Sequence, residues 1–119
     1  MKRKTILNHR DFFVPESDVF ARSESFVVLV KPTKFPGDAR YGLIVAKRRF
    51  KKAVHRNRVK RLLRDWIAYN ESLMLPDLDY VFIALDKMLD TERDMGRKSM
   101  MHALKRVARL YKKYGFVEK

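Results

Sequence analysis

The chain of 119 residues has no cysteine, which excludes disulfide staples, thiolate nucleophiles and cysteine-ligated zinc. Glycine is nearly as scarce. Gly37, Gly42, Gly96 and Gly115 are the only four, too few and too scattered for a phosphate-binding loop or a dinucleotide fingerprint. No Pro/Gly/Ser-rich linker and no internal repeat divides the sequence. No apolar run approaches the ~18 residues of a membrane span, and Met1-Lys2-Arg3-Lys4 leads into no apolar signal core. The last deficit is in negative charge: 14 Asp and Glu stand against 28 Lys and Arg, for a formal net charge of +14. A hydrophobic content of 46% is ordinary for a folded protein. Self-repulsion at that charge is tolerable beside an anionic partner, and nucleic acid is the first candidate. The expectation is one domain over residues 1–119, cytoplasmic, with no membrane and no obligate protein partner.

Local patterns outline the elements. Thr5 to Phe13, with Ile6, Leu7, Phe12 and Phe13, reads as a short helix ending before Pro15. Residues 15–24 are polar enough for a loop. Ser25 to Lys31 is a β-branched run bounded by Pro32, a strand. Pro36-Gly37-Asp38 supplies turn chemistry before a second strand, Arg40 to Ala46, most simply antiparallel to the first. A long helix is expected from about Ala53 to Leu73, with Val59, Leu62, Leu63, Trp66 and Ile67 as its apolar stripe. Asp79 to Leu85 is nearly continuous apolar sequence, as in a strand buried on both faces at the middle of a sheet. Thr91-Glu92-Arg93-Asp94 resembles a helix-capping box opening a last helix to about Tyr114. Gly96 in its first turns weakens it by about 1 kcal/mol. The order α-β-β-α-β-α is α+β, a small mixed β-sheet packed with helices.

Between Ala39 and Arg64 lie eleven basic residues and no acidic one, with Asp38 and Asp65 bracketing the block. Its densest part, His55 to Arg64, occupies the first turns of the long helix. At 100° per residue the apolar stripe faces the core, Asn57, Arg61 and Arg64 point nearly opposite, and Arg58 and Lys60 flank them. Within the block no carboxylate sits at i+4 to neutralise any of these cations, and like charges at that spacing destabilise a helix. Arginine's planar fork suits phosphate and base edges, and a helix N-terminus adds its own partial positive charge. A solvated face explains most Lys/Arg runs; an unneutralised one is better read as an RNA or DNA contact.

Arg56-Asn57-Arg58-x-Lys60-Arg61-x-x-Arg64 resembles the RNR signature of the bacterial ribonuclease P protein component. Arg40-Tyr41-Gly42-Leu43-x-Val45-x-Lys47 is similar to the strand that precedes it in that family, and Lys52-Ala53-Val54 to the lead into the helix. The connector at Arg49-Phe50-Lys51 is one residue longer than the family's and lacks its usual glycine. The resemblance implies the ribonuclease P protein-like (ribosomal protein S5 domain 2-like) fold with a left-handed βαβ crossover. It also implies a subunit that is not itself the catalyst. A large catalytic RNA performs Mg2+-dependent removal of the 5′ leader of precursor tRNA, with Mg2+ bound by RNA and substrate. The protein would bind that RNA through Arg56, Asn57, Arg58, Lys60, Arg61 and Arg64, and the leader through Phe12, Phe26, Tyr41 and Lys47.

Other chemistry has weaker support. Asp77, Asp79, Asp86 and Asp90 flank the third strand, and paired carboxylates can hold the metals of phosphodiester hydrolysis. They read more simply as turn and loop residues around the strand. His9, His55 and His102 have no ligand-like spacing; His55 joins the RNA-facing surface and His102 a helix surface. A small basic ribosomal or general RNA-binding protein would share the charge and size, but has no reason to place this basic helix after a Gly-Leu-x-Val-x-Lys strand. A helix-turn-helix needs two short helices joined by a tight turn, whereas this basic helix follows a strand.

Overall fold

The computed structural model describes residues 4–5, 19–32 and 40–114. Five strands, β1 (Lys4–Thr5), β2 (Phe20–Arg22), β3 (Phe26–Pro32), β4 (Arg40–Ile44) and β5 (Leu78–Ala84), form one mixed sheet in the order β1-β4-β5-β3-β2. Helix α1 (Ala53–Tyr69) joins β4 to β5 through a 3-10 turn at Glu71–Leu73. Helix α2 (Arg93–Tyr114) follows β5 after a second 3-10 turn at Asp86–Asp90.

The most apolar strand takes the centre, as its unbroken run requires. All of β5 except Ile83 is buried. It pairs antiparallel with β3, Val28 opposite Phe82, and parallel with β4, Leu43 opposite Phe82. The first two long strands thus run antiparallel to each other, as expected, but they are not hairpin neighbours. A parallel neighbour needs a crossover; α1 supplies one, and β5 enters between β3 and β4. The expected loop over residues 15–24 also contains strand β2, antiparallel to β3 with Ala21 opposite Val28. Thr5 belongs to β1 rather than to a helix, and residues 6–13 of that expected helix lie outside the described residues.

Alternation along β3 places Phe26, Val28 and Val30 in the core, and leaves Val27 and Leu29 half-buried on the other face. The helices cover the first face. Val59, Leu63, Trp66 and Ile67 of α1 and Met100, Ala103, Leu104 and Val107 of α2 join Phe26, Tyr80 and Phe82 in one core. Trp66 sits at the join, its ring 6.2 Å from that of Phe26. On α2 a Cβ at Gly96 would overlap the Trp66 indole, so the residue that weakens the helix locally is the one that lets α2 approach α1.

Polar contacts hold the two helices together. Arg97 Nε and Nη2 donate to both carboxylate oxygens of Asp65, at 3.1 and 2.9 Å. Its Cζ lies 4.2 Å from the ring centroid of Tyr69, one turn after Asp65. Asn70, just past the end of α1, donates from Nδ2 to the carbonyls of Trp66 and Arg97. The expected Thr91 capping box is not formed. Thr91 Oγ1 donates to the Lys87 carbonyl and is 2.8 Å from Ser25 Oγ, closing the preceding turn onto the sheet.

Candidate nucleic-acid interface

The basic face of α1 is oriented by what lies beneath it. Val59, Leu63 and Trp66 are fully buried, and this leaves Asn57, Arg58, Arg61 and Arg64 exposed on the opposite side. Lys60 is half-buried at the flank. Lys52, the N-cap, makes no side-chain cap hydrogen bond, and the first turn carries no acid. The positive end of the helix is thus uncompensated and open to an anion. Arg56 differs from its neighbours: its Nη1 donates to the carbonyls of Phe50 (2.8 Å) and Lys51 (3.0 Å). It staples the strand-to-helix connector, whose Phe50 is buried in the core. Before that connector, Lys47, Arg48 and Arg49 form an exposed turn, with Arg49 Nη1 3.2 Å from Asp86 Oδ1.

The candidate metal carboxylates do not converge. Asp79 is buried within β5 opposite Lys31, inside the strand rather than in the expected turn. Asp86 pairs with Arg49, and Asp90 ends the 3-10 turn that Asp86 begins. Among the described residues no three His, Asp or Glu side chains form a group able to hold a metal ion.

A family model for ribonuclease P matches residues 1–108. The chain belongs to the ribonuclease P protein family. A ribonuclease P protein component of Shouchella clausii is 36% identical over 119 residues, covering 96% of this chain and 93% of that one. One from Lactobacillus delbrueckii subsp. bulgaricus is 34% identical over 104 residues, covering 87% and 86%. The solved RNase P protein of Staphylococcus aureus superposes with a TM-score of 0.72 at 28% identity, over 87% of this chain and 94% of that one. The α+β fold read from the element order is the fold of ribonuclease P proteins.

For a ribonuclease P protein the residues expected at a single-stranded leader fare unequally. Phe26 is 0% exposed. It lies on the helix-covered face against Trp66, so it is a core residue and cannot stack on a base. Tyr41 shares that face and is half-buried, its ring edge-on to Phe82 at 6.3 Å. Lys47 is exposed. Phe12 lies outside the described residues. A further aromatic, one that no sequence motif singles out, is Phe20, 54% exposed. It pairs with Leu29, and Arg22 with Val27, so both point away from the helices. Arg22, Val27, Ile83 and Ile44 form a row across that second face. The signal for it was the alternation of Phe20, Ala21 and Arg22, too short to mark a strand by itself.

Proposed function

We propose that this chain is the protein subunit of ribonuclease P, a ribonucleoprotein endoribonuclease. It binds the catalytic RNA through the exposed face of α1 and holds the 5′ leader of precursor tRNA. The family membership supports the assembly, and the observation that carries the binding mode is the α1 face. Asn57, Arg58, Arg61 and Arg64 project from a helix pinned to the core by Val59, Leu63 and Trp66 on its other side. Arginine forks on a rigid scaffold give bidentate phosphate contacts with little ordering cost.

No group of three His, Asp or Glu side chains stands together among the described residues, and no hydrolytic step is assigned to the carboxylates. In this reading the metal is held by RNA and substrate, in the cytoplasm, and the protein's work is positioning. Precursor and product differ by a single strand, so a leader contact is what separates their affinities. Single strands are held by aromatic stacking beside cations. Phe20 with Arg22 on the second sheet face and the cation of Lys47 fit that role, together with Phe12 from the N-terminal segment.

Reconstitution tests the proposal. The purified chain, the cognate catalytic RNA and end-labelled precursor tRNA are combined at low Mg2+ and moderate salt. Mature 5′ ends are expected with RNA and protein together and none with protein alone. Site-specific cleavage by RNA-free protein would overturn the assignment. So would recovery of mixed ribosomal RNA, instead of one abundant structured RNA, with protein isolated from its native cells.

A further inference from the structure

We infer that the outer face of α2 is a second RNA contact, one that grips the backbone of a double-helical segment of the same RNA that α1 engages. Lys98, His102, Lys105, Arg106, Arg109 and Lys112 are all exposed. At 100° per residue they fall within an arc of about 120°, and at 1.5 Å per residue they extend along about 21 Å of helix. Met100, Ala103, Leu104 and Val107, opposite them, are buried. Asp94 is the only carboxylate in the helix, a turn before Lys98. An ordinary solvated helix alternates the sign of its charges. Here Lys105 and Arg109 at i, i+4, and Arg109 and Lys112 at i, i+3, repel each other, and a polyanion relieves that repulsion.

The chemistry of the stripe selects its occupant. No Phe, Tyr or Trp lies within it and His102 is its one ring, whereas single strands are gripped through rows of stacking aromatics. The apolar face of α2 is buried in the core, so the helix cannot insert into a lipid surface as an amphipathic anchor does. A straight row of cations without stacking platforms matches the backbone of duplex RNA, which is recognised through phosphates and shape. The Asp65–Arg97 pair and the Asn70 hydrogen bond to the Arg97 carbonyl join α2 to α1, so one folded RNA meets both outer faces in fixed relation. The inference rests on the reading that α1 binds the catalytic RNA.

The test titrates that RNA with the full chain at several salt concentrations. Arg106→Gln/Arg109→Gln is compared with the α1 pair Arg61→Gln/Arg64→Gln and with a control pair, Lys87→Gln/Arg93→Gln, that removes equal charge off both faces. If each arginine meets one phosphate, the α2 pair lowers the slope of log K against log salt by roughly 1.4–1.8. It should weaken binding by roughly tenfold or more, with no fall in melting temperature, while Arg106→Lys/Arg109→Lys keeps most of the slope. An α2 pair that binds like the control overturns the inference, as does a loss confined to the holoenzyme's affinity for precursor tRNA. If the α1 pair weakens binding while the α2 pair matches the control, only this inference falls. Wild-type protein that does not bind the catalytic RNA at all removes the parent reading with it.

Discussion

Trp66 is the residue on which both helices and the sheet converge, and its neighbours make separable predictions. It is fully buried, tilted against Phe26 and overlain by Gly96. Trp66→Ala leaves a large cavity and is expected to cost about 3–5 kcal/mol in urea denaturation. Trp66→Phe should cost less, because among the described residues the buried indole Nε1 has no hydrogen-bond partner to lose. Gly96→Ala sets two effects against each other. Helix propensity gains up to ~1 kcal/mol, while forcing a methyl into the indole costs ~1–3 kcal/mol. The overlap wins, because the indole is hemmed in by core and cannot retreat, so the substitution should lower the urea midpoint. Residues on the far side of α1 behave oppositely. Arg61→Ala and Arg64→Ala should leave the midpoint unchanged, yet each should reduce the salt slope of RNA binding by roughly 0.7–0.9. Loss of fold in Arg61→Ala would mean that α1 faces the other way.

At the scale of elements, the α1–α2 joint depends on protonation. Hydrogen bonds from Arg97 hold the Asp65 carboxyl below its ordinary value of 3.8; partial burial opposes this and the Arg97 charge adds to it. A carboxylate with a depressed folded-state pKa contributes stability that is fully present above its unfolded value and is lost as pH falls through the folded one. Thermal melts should therefore show an acid-induced loss below about pH 4 that Asp65→Asn removes in part, together with a lower melting temperature near neutrality. The Arg97 and Asp65 side chains are 25% and 35% exposed, so solvent screening keeps the effect small. Equal acid sensitivity in both proteins would assign the loss to other carboxylates. The same joint shows what local sequence conceals. Asp65 and Arg97 are 32 residues apart, and the charge pattern of α1 alone marks Asp65 only as the end of a basic block.

For the whole molecule, a net charge of +14 draws in RNA of any kind, so selectivity for precursor tRNA needs a contact that mature tRNA cannot make. Phe20→Ala and Phe12→Ala should each lower holoenzyme affinity for precursor by about 1–2 kcal/mol and hardly change affinity for mature tRNA. Equal loss for both substrates would remove the residue from the leader contact. Much of this was legible in the sequence. The apolar stripe and basic face of α1 follow from 3.6-residue periodicity, and the central place of β5 from an apolar run that only two covered faces can bury. Pairing was not legible, since β4 and β3 could have formed a hairpin until α1 carried the chain back between them. Nor was β2, three residues long with no run to announce it. Alternation separates Phe26 from Val27 and Phe20 from Ala21, but it does not say which face the helices will cover. The order of residues thus determined which side chains travel together. Docking of Trp66 and α2 onto one side of the sheet decided that Phe26 is core and Phe20 is surface, because burial is a property of the second layer and not of the strand.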